Sequence, residues 1–113
     1  MPYINTTTNV EITDKKREQL KAEYGKAISL LGKNESWLML SFEGSKEMYF
    51  KGDNSSPMAY VDISVFGKST DAQCADMTKE ICRILGDNLG ISSDKIYVKF
   101  TGTNQWGWNN MTF

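Results

Sequence analysis

Leu31-Gly32, followed by Trp37-Leu38-Met39-Leu40-Ser41-Phe42-Glu43-Gly44, has a counterpart fifty-eight residues on: Leu89-Gly90, followed by Lys95-Ile96-Tyr97-Val98-Lys99-Phe100-Thr101-Gly102. Leu, Gly, Phe and Gly recur in register, and a strand-like alternation recurs with them. Upstream, Thr13-Asp14 is matched by Thr70-Asp71 at an offset of fifty-seven. The matches keep one order of elements, so they read as an internal repeat, 1–57 and 58–113, within a single domain.

Each copy reads strand, helix, strand. In the first, Tyr3 to Thr8 is rich in β-branched residues. A helix then starts with Thr13 or Asp14 as its cap and carries Leu20, Tyr24, Ala27, Ile28 and Leu31 on one face. Gly32 supplies the left-handed residue that ends it. Trp37 to Glu43 reads as the second strand, with Leu38, Leu40 and Phe42 on one side and Trp37, Met39 and Ser41 on the other. The second copy opens with the alternating run Met58 to Phe66. Its helix starts at Thr70, where Gln73 completes a capping box. The stripe Cys74, Met77, Ile81, Ile84, Leu85 and Leu89 follows, Gly90 ends the helix, and Lys95 to Thr101 is the closing strand. Lys46 to Phe50 reads as a short extra strand and Gly52 to Pro57 as a loop. Trp106 to Phe113 is an aromatic, Asn-rich tail with weak strand character.

A strand–helix–strand unit joins a parallel pair by a right-handed crossover. Two such units give an α/β (α+β) fold, a four-stranded mixed sheet with both helices on one face. The other face would carry Trp37, Met39, Tyr60 and Tyr97 among Asn5, Thr7, Ser41, Asp62, Ser64, Lys99 and Thr101. Sheets with parallel pairs are seldom bare on one side, and too few residues remain for a second layer. Either polar residues wet this face or copies of the chain cover it. Assembly is expected, with the 46–50 run and the tail as the joining pieces.

Composition narrows the chemistry. The chain has 113 residues, 40% hydrophobic and 24% charged, with a net charge of −1 and no histidine. That suits a core without metal or disulfide staples. No basic stripe marks a nucleic-acid partner, no apolar run is long enough for a membrane span, and no secretory signal opens the chain. A cytoplasmic location is expected, with any export bypassing the usual signal. The lack of histidine removes the commonest base and metal ligand. Cys74 and Cys82 stand eight residues apart on a helical pattern, a rise of about 12 Å, too far for a disulfide. No metal and no cofactor are expected.

Met1-Pro2 opens the chain. If Met1 is removed, Pro2 becomes a secondary amine, and amino termini titrate near pH ~8 unperturbed. A modest downward shift would make it a general base near neutrality. An ordinary protected chain end is the plainer account of the same two residues.

Together, Met1-Pro2, Thr8-Asn9-Val10, Gly32-Lys33, Met48 to Gly52, Gly67, Ile96-Tyr97-Val98 and Gly107-Trp108-Asn109-Asn110-Met111-Thr112-Phe113 resemble the macrophage migration inhibitory factor family of the tautomerase superfamily. The likeness spans nearly the whole chain. It implies a homotrimer, a pocket at each subunit boundary and a free Pro2 that tautomerises phenylpyruvate-like and dopachrome-like compounds. It implies that Pro2 shuttles the proton, that Lys33 binds a substrate carboxylate, that the Phe66 backbone meets substrate, and that Tyr97 reaches the pocket from a neighbouring chain. Taken alone, Lys33 also reads as a solvated lysine beyond a helix end.

Several positions depart from the family. Lys99 stands where the vertebrate factor has asparagine, Trp37 replaces a tyrosine and Trp106 a small aliphatic residue, while Trp108 matches. Phe66, Trp37 and Trp106 should narrow the pocket and Lys99 adds a cation, which disfavours bulky dopachrome-type substrates and retains planar aromatic keto acids. Equally, the aromatics could simply fill subunit boundaries. The vertebrate Cys-Ala-x-Cys is Met58-Ala59-Tyr60-Val61 here, so thiol–disulfide activity does not transfer. The resemblance leaves two functions in competition: an isomerase acting on a small aromatic keto acid, and a leaderless cytokine-like ligand of a receptor protein.

Overall fold

The computed structural model describes residues 1–113. The chain runs β1 (Pro2–Thr8), α1 (Asp14–Ala27), β2 (Met39–Glu43), β3 (Ala59–Phe66), α2 (Asp71–Leu89), β4 (Ile96–Thr103), then the short strands β5 (Gly107–Trp108) and β6 (Met111–Thr112). The main sheet has the order β2-β1-β3-β4. β1 pairs parallel with β2, β3 parallel with β4, and β1 antiparallel with β3. Two strand–helix–strand units therefore meet along β1 and β3, as the repeat requires.

Alternation decides which face is buried. Pro2, Ile4, Thr6 and Thr8 are buried on β1, and Ala59, Val61, Ile63 and Val65 on β3. They pack under Leu20, Tyr24 and Ala27 of α1 and Met77, Ile81, Ile84, Leu85 and Leu89 of α2 in one core. The two buried threonines are satisfied. Thr6 Oγ1 and the Tyr24 hydroxyl share a 2.8 Å hydrogen bond, and Thr8 Oγ1 donates to the Met58 carbonyl at 2.7 Å. Thr13 caps α1, and Thr70 with Gln73 forms the reciprocal capping box on α2. Gly32 (φ 70°) and Gly90 (φ 67°) both take the left-handed conformation that closes the two helical runs.

Three expectations need correction. Helix α1 ends at Ala27, and Ile28–Leu31 tightens into a 3₁₀ turn. Trp37 is not in a strand: Glu35–Trp37 is a 3₁₀ turn, because the Asn34 side chain accepts the Ser36 N–H at 2.8 Å and competes with extension. The run 46–50 makes no strand, since no neighbour within the chain offers it an edge. Phe50 instead exchanges backbone bonds with Asp53 (2.9 and 3.0 Å) across a turn with Lys51 at φ 52° and Gly52 at φ 79°. In the tail, Asn109 and Asn110 at φ 52° and 65° form the tight turn between β5 and β6.

The face away from the helices carries a side-chain ladder. Tyr3 Oη pairs with Ser41 Oγ at 2.7 Å, Ser41 Oγ donates to Asn5 Oδ1 at 2.7 Å, and Asn5 Nδ2 donates to Glu43 at 3.0 Å. Lys99 lies 3.7 Å from Asp62 on the adjoining strands. Met39 and Tyr97, on the same face, are the large apolar groups left open, 68% and 63% exposed.

Candidate functional site

Pro2 begins β1, buried opposite Val65 of β3, whose partner on β4 is Gly102. A cleft of about 500 Å³ opens at this end of the sheet, lined by Met1, Pro2, Tyr3, Trp37, Met39, Trp106 and Trp108, with Ser36, Leu38 and Gly107 completing it. Trp37 and Trp108 meet edge to face, ring centres 5.1 Å apart. The sequence-derived tryptophans thus converge: the 3₁₀ turn aims Trp37 and the tail hairpin aims Trp108 at the same opening.

Lys33 and Phe66 lie on the other flank of Pro2. The Lys33 ammonium donates to the Phe66 carbonyl at 2.8 Å, and the Phe66 N–H donates to the Met1 carbonyl at 3.0 Å. The Phe66 ring rests against Phe113 at 5.6 Å, while the Phe113 N–H holds the Trp106 carbonyl at 3.0 Å. The chain's last aromatic residue, which the sequence reading did not single out, therefore ties the tail to the strand beside the cleft.

At this end of β1 the Met1 amine is held below its ordinary pKa, first by loss of water around it and second by the Lys33 charge. Ammonium groups lose protons more readily when buried or placed beside another cation, and both causes act at this end of β1.

Tyr97 and Lys99 do not reach the cleft of their own chain. Tyr97 is five residues before Gly102 on β4, about 16 Å along the strand, where it meets Phe50 edge to face at 5.2 Å. Lys99 is raised above its ordinary pKa by the Tyr60 hydroxyl and then by Asp62, so it is engaged on the sheet face. The sequence reading also missed Gly102. A Cβ there would lie 2.4 Å from the Gly67 carbonyl oxygen, so only glycine lets β4 pass the Gly67 turn.

A second cavity, about 380 Å³, is lined by Lys68, Ser69, Cys74 and residues at the ends of β3 and β4, Val65, Gly67 and Gly102 among them, and contains none of Pro2, Lys33, Phe66 and the tryptophans. Cys74 is pushed above the usual thiol pKa by burial and then by Asp71, opposite to what an activated thiolate needs. No group of three His, Cys, Asp or Glu side chains could hold a metal ion. No helix is long and apolar enough to cross a membrane.

Known proteins resemble the chain over its full length. The family described as Macrophage migration inhibitory factor (MIF) matches residues 1–113. The chain is 30% identical over 115 residues to the macrophage migration inhibitory factor of Meriones unguiculatus, covering 100% of this chain and 99% of that protein. Among solved structures it is similar to Leishmania major MIF2, with a TM-score of 0.93, 32% identity, and coverage of 100% of this chain and 97% of the other. It is also similar to the homologue from Prochlorococcus marinus, with a TM-score of 0.89, 30% identity and 98% coverage of each chain. The chain belongs to the macrophage migration inhibitory factor family.

Proposed function

We propose that this protein is a keto–enol tautomerase of the phenylpyruvate type, with Pro2 as its general base once Met1 has been removed. The observation that carries the reading is the placement of Pro2: buried at the start of β1 and lining a cleft walled by three tryptophans, with the Lys33 charge acting on the adjoining Met1 amine. In the keto-to-enol direction the Pro2 nitrogen takes a proton from the carbon next to the ketone, and the protonated proline then gives that proton to the enolate oxygen, which forms the enol and restores the neutral amine. Lys33 holds the substrate carboxylate, and the flat walls of Trp37, Trp106 and Trp108 hold the aromatic ring. A neutral amine is needed for the first step, and the same surroundings lower the pKa of the neighbouring Met1 amine.

The same proposal includes a homotrimer. Tyr97 is exposed and far from its own Pro2, so it serves a cleft only from a neighbouring copy, with Lys99 two strand positions nearer to the Gly102 row. Pro2→Gly separates enzyme from ligand. It should abolish phenylpyruvate tautomerisation, followed by ultraviolet absorbance of the enol, with the fold and mass of the assembly unchanged. Turnover equal to the parent would remove Pro2 from the mechanism. A cytokine-like role, suggested by the name its relatives carry, would survive the same substitution.

A further inference from the structure

Tyr3 lines the cleft next to Pro2, but its hydroxyl is drawn the other way. On β2 the residue opposite Tyr3 is Met39, whereas the hydroxyl bonds Ser41, the residue opposite Asn5. The tip of the side chain therefore leans along the sheet, away from the Pro2 end. Its bond to Ser41 is the first rung of a ladder whose direction follows from the far end. Glu43 carries a carboxylate, which accepts and does not donate. It takes the Asn5 Nδ2–H at 3.0 Å, with Thr7 Oγ1 at 3.5 Å and the Lys46 ammonium at 3.9 Å around it. With its nitrogen turned to Glu43, the Asn5 amide presents Oδ1 to the Ser41 hydroxyl, which donates to it at 2.7 Å. That spends the single hydrogen a serine hydroxyl has. Between Tyr3 and Ser41, 2.7 Å apart, tyrosine is then the donor. A hydroxyl committed in this way gives the cleft no proton. What Tyr3 offers there is its ring.

We propose that Tyr3 is a specificity-determining residue: a fourth aromatic wall of the cleft, locked by a one-way hydrogen-bond ladder that runs from its hydroxyl through Ser41 and Asn5 to Glu43. A half-exposed tyrosine without such a tether would turn about its side-chain torsions, and a ligand would have to still it on binding. The ladder removes that cost beforehand, which is worth about two- to tenfold in affinity for one immobilised side chain. The gain goes to a flat ring that can lie offset or edge-on against tyrosine; an alkyl chain draws less from it. Ser41 and Asn5 touch no ligand in this scheme. They act through Tyr3, as positioning residues. The lock stands on geometry; that a substrate ring meets it rests on the tautomerase reading.

The test uses the protein freed of Met1 and two carboxylate probes that cannot tautomerise, 3-phenylpropanoate and hexanoate. Affinities come from titrations followed by nuclear magnetic resonance. Their ratio reports the wall, because a general loosening of the fold would weaken both probes alike. Ser41→Ala should lower the preference for the aromatic probe about two- to tenfold, and Tyr3→Phe should do the same. The double variant should be no worse than either, since both cut one bond. Ser41→Thr keeps the hydroxyl and should return the parent's ratio, while Tyr3→Leu, which removes the ring, should lose more than any of these. A parent without preference for the aromatic probe, a ratio unmoved by Ser41→Ala and Tyr3→Phe, or losses that add in the double variant each overturn the inference. Ratios as expected without turnover of phenylpyruvate keep the locked wall and sink the tautomerase reading. Pro2-dependent turnover with unmoved ratios does the reverse.

Discussion

The Lys33 ammonium is anchored on the Phe66 carbonyl, 2.8 Å away, and from there its charge acts on the amino end of β1. The cation is held at a fixed point beside the site, with two of its three hydrogens free for a carboxylate.

Replacing Lys33 by methionine should therefore act twice. Loss of the charged donor should lower kcat/KM for phenylpyruvate by about 10- to 100-fold, from roughly 1.5–3 kcal/mol for a hydrogen bond to a charged group. It should also move the pH profile. The base works unprotonated, so activity rises as pH passes up through its pKa. Lys33 lowers the pKa of the Met1 amine at this end of β1, so its removal should shift the midpoint of a freed Pro2 amine to higher pH. A profile of kcat/KM against pH checks both parts, and an unmoved midpoint would detach Lys33 from the base.

The slot between Trp37 and Trp108 should govern substrate breadth. Trp37→Ala removes one half of a 5.1 Å edge-to-face pair and widens the cleft. Turnover of a dopachrome-type methyl ester should rise about tenfold relative to phenylpyruvate, the scale on which pocket size discriminates. If the parent already handles both compounds comparably, the tryptophans do not narrow the site.

Gly102→Ala should destabilise the fold although it adds a single methyl group. The new Cβ would sit 2.4 Å from a backbone oxygen that cannot swing away, and overpacking of this kind costs about 1–3 kcal/mol. Urea unfolding should show a lower midpoint at constant slope. The same shift would pull β4 from the Pro2 row, so tautomerase activity should fall with it.

Beneath the sheet, Tyr24→Phe should cost about 1–3 kcal/mol by leaving the buried Thr6 hydroxyl without its 2.8 Å partner. Thr6→Val should cost a similar amount. The double variant should be destabilised by clearly less than the sum, because neither polar group is then stranded. Calorimetric or denaturant unfolding of the four proteins measures the coupling, and strict additivity would mean that the hydroxyls are not paired.

Where the chain speaks through period and capping, sequence and structure agree. Leu20 to Ala27, Met77 to Leu89, Thr70 with Gln73, and the two glycines that end the helical runs all act within a few residues of themselves. Trp37 was misread because an alternating apolar run does not reveal that Asn34 closes a turn ahead of it. The run 46–50 was misread because extended-looking residues become a strand only where an edge awaits them. Pro2, Lys33 and the tryptophans could be named from the sequence as candidates, but the contacts that join their neighbourhood could not. The Phe66–Phe113 contact spans forty-seven positions, and Gly102 matters through Gly67, a neighbour in space alone.

The strand that begins at Pro2 lies between two others, so the earliest strand of this sequence has an inner place in the sheet. Its antiparallel partner β3 ends at Phe66, sixty-four residues after Pro2, a delay of roughly 3–13 s at ribosomal speed. During that interval only β2 is available to pair with β1. The central seam of the sheet, where β1 meets β3, is thus the last contact of β1 to form.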